Sequence, residues 1–386
     1  MKNISKIISA FILLFGIASC TENDKDPIVS PNGFTLQEPA SGSSYVLLPQ
    51  NSADDLLTLK WDPSNNGVAS VSTYTIEIAK SGTNFANPLT AVRTTDIAPT
   101  GTYTWTVGYL NSLLTDLGFS PCETLDIDIR VKSTLGIVDN NSLIQYSNIR
   151  TIHVTPYLTD LPLMAFSSDG VITAATPKLA SSGVLKTDYE GYMWLTPGFY
   201  KFYKPDNTCN LFDSTVVYGD DGSGSYNALV LNGAGYEVTT AGFYLVRADT
   251  STNAYSVRPT TWGIFGTAKS TGFLANTPLT YDPVSKLWKT AAPVSLTPGY
   301  GFKFRSNGSG SNIFVLGKFI PNQEEPVSYA GPILSYVPNT TTAPLLSQNE
   351  LPVPGLRPNP RVNSNFEITL DLNSPRNYSY TITQIP

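Results

Sequence analysis

Two basic side chains stand one residue apart in the stretch Tyr300-Gly-Phe-Lys-Phe-Arg305. Side chains of an extended strand alternate between faces, so Tyr300, Phe302 and Phe304 are expected on one side and Lys303 and Arg305 on the other. The aromatic side reads as core. The two cations are then left on an exposed face, where paired donors can hydrogen-bond vicinal hydroxyls while a nearby ring packs on the C–H face of a sugar. A related run, Phe199-Tyr-Lys-Phe-Tyr-Lys204, occurs earlier, and each run follows a Leu-Thr-Pro-Gly turn. Matching Lys201-Phe202 to Lys303-Phe304 puts Tyr203 in the place of Arg305. In the turns, Pro197 and Pro298 suit the first central position, and Gly198 and Gly299 the position of positive φ.

Residues for other chemistries are scarce. The single histidine, His153, lies between Ile152 and Val154, and alternation turns it outward. That count excludes a metalloprotease helix and a three-histidine zinc site, and a serine triad would depend on this one strand residue. A glycosidase needs two carboxylates ~5–9.5 Å apart. The recurring residues here are aromatic and basic instead, so binding is expected rather than catalysis. Asp220-Asp221 lacks the alternating oxygen ligands of a calcium loop and reads as a turn. Cys122 and Cys209 fall in different expected domains without metal-ligand neighbours and read as incidental. No cofactor is expected. A net charge of -6 with scattered Lys and Arg argues against nucleic acid as a partner.

The elements that must carry these residues read as strands. The 386 residues are 41% hydrophobic and 14% charged, with 29 Gly, 29 Pro and 21 Tyr, a composition of turns and half-buried strands. An all-β fold of tandem β-sandwich domains is expected. Residues 33–156 form the first domain, with Leu57, Leu59 and Trp61, then Tyr74, Ile76 and Ile78, then Ile127, Ile129 and Val131 alternating. One helix is expected near Tyr109 to Leu117. Residues 157–259 and 260–386 read as two modules made by duplication, since each carries the Leu-Thr-Pro-Gly turn and ends in a hairpin. A Pro-rich stretch at 331–363 interrupts the last module as a lid, docking loop or disordered insert. All five tryptophans, Trp61, Trp105, Trp194, Trp262 and Trp288, read as core.

At the start, Lys2 and Lys6 precede an apolar run from Ile7 to Ile17, and small residues lead to Cys20. The run is shorter than the ~20 residues that cross a bilayer. Residues 1–20 resemble a bacterial lipoprotein signal ending in a lipobox, which makes Cys20 the acylated residue and the membrane a partner through a lipid anchor. The polar tether 21–32 contains an acidic tract similar to the surface-export signal of Bacteroidetes lipoproteins.

Together with this start, Tyr74-Thr-Ile-Glu-Ile-Ala79, Ser147-Asn148, Thr261-Trp-Gly-Ile-Phe-Gly-Thr-Ala268, Leu279-Thr-Tyr-Asp282, Leu287-Trp288 and Phe302-Lys-Phe-Arg305 carry a resemblance. The chain resembles the SusE/SusF family of outer-membrane starch-binding lipoproteins. The resemblance implies an immunoglobulin-like first domain followed by two non-catalytic carbohydrate-binding-module-like sandwiches at the cell surface. It further implies starch or a related α-glucan as ligand, and a TonB-dependent importer and a SusD-like lipoprotein as protein partners. Lys303 and Arg305 match the family's basic strand, with Lys201 and Tyr203 at the corresponding places of the second module. Tyr218 matches a Tyr-Gly that follows the family's binding loop. Phe273 and Phe314 stand where the family commonly has Trp, and Phe212 is the aromatic of the second module's loop. A docking lipoprotein without sugar binding is the alternative reading.

Overall fold

The computed structural model describes residues 33–65, 72–96, 101–135, 143–307, 313–318, 334–337, 349–356 and 362–386. Cys20, the leader and the tether lie outside the described residues. The chain divides into two compact units, Met1–Leu158 and Thr159–Pro386. Nearly all regular structure is β.

In the first unit, a three-stranded sheet (Leu36–Glu38, Asp55–Trp61, Gly101–Thr106) and a six-stranded sheet built around Ser72–Lys80 and Leu125–Leu135 share one core. Leu59, Trp61 and Trp105 from the smaller sheet meet Ile76, Ile127, Ile129 and Val131 from the larger one. Each such side chain is worth ~1.5–3 kcal/mol when fully buried. The expected helix spans Val107–Asp116; Thr106 caps it by accepting from the Tyr109 amide at 3.2 Å, and Leu110, Leu113 and Leu114 face the core. His153 is half-exposed on its strand, and its Nδ1 shares a hydrogen bond of 2.5 Å with Asp126 on the sheet's outer face.

The second unit contains a nine-stranded and a ten-stranded sheet whose strands follow the same order. In one sheet, Leu163–Ser167 lies between Lys178–Ser181 and Gly198–Pro205; in the other, Trp262–Phe265 lies between Thr277–Asp282 and Gly301–Ser306. Phe166 pairs with Phe202, which pairs with Tyr218; Ile264 pairs with Phe304, which pairs with Leu316. The register therefore equates Lys201 with Lys303 and Tyr203 with Arg305. Within the Pro-rich stretch, Leu334–Tyr336 and Leu351–Pro352 are strands that take the places of Leu229–Leu231 and Tyr236–Val238. Residues 331–333, 338–348 and 357–361 of that stretch lie outside the described residues.

The two Leu-Thr-Pro-Gly turns differ. Gly299 has φ 72, as a turn glycine should, and the Tyr300 amide donates to Thr297 O at 3.4 Å. Gly198 does not adopt a positive φ, because it already pairs with Val238 as the first residue of its strand. There the Tyr200 hydroxyl closes the turn by donating to Thr196 O at 3.0 Å. A second correction concerns the cysteines. Cys122 and Cys209 are both disulfide-bonded, so neither is incidental.

Candidate ligand-binding faces

Phe302 and Phe304 are fully buried in the core, as alternation requires. Lys303 and Arg305 do point the other way, but that face is covered: Lys303 is 4% exposed and Arg305 half-buried. The expectation of two exposed cations is therefore corrected. Residues 266–276 fold back onto this side of the sheet, where Val315 and Val337 also pack and Glu350 lies beside Lys303. From that segment Asn276 accepts from Arg305 Nε at 3.0 Å, and Phe273 meets Phe265 edge-on at 5.8 Å. The Arg305 guanidinium lies over the Phe265 ring at 4.4 Å. Gly266, at φ 142, makes the fold-back possible, since a Cβ there would stand 2.6 Å from the Glu350 carboxylate and 2.7 Å from Gly301 O.

This small second core holds three cations. Lys269 donates to Ala275 O at 2.7 Å and Ile264 O at 3.3 Å, and burial, then the neighbouring Arg305, lowers its pKa to about 8. Burial also lowers the pKa of Lys303, against the pull of the Glu350 carboxylate. Glu350 accepts from the Thr267 amide and hydroxyl, both at 2.6 Å, and burial pushes its carboxyl up. The structure thus brings Lys303, Arg305 and Phe273 onto one face. Phe314 is elsewhere, edge-on to Tyr336 at 6.0 Å and under the Arg247 guanidinium at 4.8 Å.

The second module keeps its corresponding face more open. Lys201 and Tyr203 are both half-exposed there. Lys178, directly across Ala165 from Tyr203, lies over the Phe212 ring at 5.1 Å and donates to Thr173 O and Thr176 O at 2.8 and 2.7 Å. Lys201, Tyr203 and the Lys178–Phe212 pair share this face. Tyr218 does not. It pairs with Phe202 and packs against the module's core.

One tryptophan departs from the core reading. Four tryptophans are core, with Trp288 the most open at 5%, whereas Trp194 is 43% exposed. Glu190, Tyr192 and Trp194 share the face of the Asp188–Leu195 strand that meets the next module. Tyr192 is buried there between Phe243, Trp262 and Tyr378. Trp194 ends the row, stacked on Tyr281 at 5.2 Å and 5°. It borders a groove of about 1130 Å³ lined from both modules. Its strand pattern carries no sign of this, since exposure begins where the two modules part.

Among the described residues, no group of three or more His, Cys, Asp or Glu could hold a metal ion. No curated protein matches the chain. Among solved structures, SusF from Bacteroides thetaiotaomicron aligns with 11% identity and a TM-score of 0.27, over 91% of this chain and 76% of that one. Residues 21–132 match the model of the SusE outer membrane protein family, and through this N-terminal part the family resemblance read from the sequence is shown.

Proposed function

We propose that the protein is a non-catalytic lipoprotein of the outer membrane, anchored through Cys20 and facing outward, which binds starch or a related α-glucan beside a TonB-dependent importer and a SusD-like partner. The match of residues 21–132 to an outer-membrane family supports the location. Disulfide-bonded Cys122 and Cys209 agree with an oxidising compartment outside the cytosol.

One observation carries the binding reading. On the second module's outward face, half-exposed Lys201 and Tyr203 stand beside the Lys178–Phe212 pair, so hydrogen-bond donors and an aromatic ring share one accessible surface. A sugar requires that combination, because its hydroxyls need donors while its C–H face packs on a ring. The third module carries its equivalents under cover. Burial of Lys303 favours a docking or scaffolding role for that module.

Calorimetric titration of residues 21–386 with maltoheptaose tests the reading. Lys201→Ala/Tyr203→Ala should weaken binding by about tenfold or more, the worth of one or two lost contacts. Unchanged heats in the double variant would remove this face from the account.

A further inference from the structure

The 1130 Å³ groove at the junction of the two modules is separate from the face that carries Lys201 and Tyr203. Resting on the glycan reading above, we infer that this groove is a second binding site, for a chain of neutral sugars, with Trp194 as its stacking platform.

The tryptophan is held ready for a ligand. Tyr281 backs one side of the indole in a near-parallel stack and does not itself line the groove, whereas Trp194 does. A ring fixed in this way loses little freedom when a partner covers it. Phe243, the cross-strand neighbour of Trp194, extends the aromatic floor and packs on Tyr281 at 4.9 Å.

Size and charge define the occupant. Single small-molecule sites commonly measure ~300–1,000 Å³, and this groove exceeds that range, which suits a run of several sugar rings. Its rim offers the hydroxyls of Thr239 and Thr240, with one acid, Glu237, and one base, Arg258. The balance of charge selects a neutral glycan over a sulfated or uronate polymer. Neither module forms the site alone, since Trp194 and Phe243 come from one and Trp288 and Phe314 from the other.

Trp194 also supplies the readout. It is the one exposed tryptophan of the five, so iodide quenching of the mature chain's fluorescence reports mainly on this ring. Saturating maltoheptaose should shield it and lower the quenching constant. Trp194→Ala should weaken maltoheptaose binding by about tenfold and Trp194→Phe by less, with the melting transition of each checked for folding. If maltoheptaose binds but leaves quenching unchanged and Trp194→Ala binds like the parent chain, the groove is not a site, although the glycan reading stands through Lys201 and Tyr203. If the parent chain binds neither maltoheptaose nor any glycan of a wider panel, both fall together.

Discussion

The Tyr378 hydroxyl donates at 2.9 Å to the carboxylate of Glu190, a buried acid of the preceding module. Tyr336 donates to the same carboxylate at 2.7 Å, and Arg247 pairs with it at 2.6 Å. Beside this node, Arg376 reaches back to Asp188 at 2.7 Å. One acid therefore collects donors from both modules within the compact unit 159–386, where Tyr192 and Phe243 also join an apolar cluster with Trp262 and Tyr378.

Removing that carboxylate leaves Arg247 and two tyrosines without their acceptor. Glu190→Ala should destabilise the second unit by about 2–4 kcal/mol, with Glu190→Gln intermediate because the amide keeps one acceptor oxygen. Differential scanning calorimetry of residues 21–386 should show one transition lowered and the other unmoved.

Lys269 gives a pH signature. Its folded pKa is lowered to about 8 from an ordinary 10.5, so between those values the unfolded chain holds a proton that the folded chain has released. Stability should therefore rise with pH across that window relative to Lys269→Met. Denaturant melts at pH 7 and pH 10 check the sign. A difference that shrinks at pH 10 in favour of the variant would contradict it.

The two turn glycines should respond differently. Gly299→Ala forces a Cβ onto a residue at φ 72 and should cost about 1 kcal/mol. At Gly198 a Cβ would meet nothing nearer than 3.5 Å, so Gly198→Ala should be near neutral. Paired thermal melts distinguish them.

Lys303 and Lys201 occupy the same register position but should behave oppositely. Lys303→Met removes the cation beside the buried Glu350 carboxylate and should destabilise the third module by about 1–3 kcal/mol, without altering glycan binding. Lys201→Ala should leave stability unchanged and weaken glycan binding. Titration and melting of both variants separate the two modules' roles.

Alternation made much of the scaffold legible in the sequence. Leu59 and Trp61, and Ile127, Ile129 and Val131, are buried as their spacing implies, and the helix falls within two residues of its expected start. The shared turn pointed to two related modules, and the two sheets of the second unit run in the same strand order. Period-two reasoning gives the direction of a side chain but not what lies above it. It placed Lys303 on the correct face and missed that this face is covered; the habit of strand tryptophans to fill sandwiches, not alternation, assigned Trp194 to a core that ends one residue pair short. Tyr218 failed for another reason, because a matched dipeptide carries no information about register.

The central claim is that an outward face of the second module binds glycan, and native electrophoresis of residues 21–386 through gels containing amylopectin, pullulan or dextran tests it most directly. Retardation by an α-glucan, reduced in Lys201→Ala/Tyr203→Ala, is the predicted result. Migration unaffected by every glycan would contradict the claim.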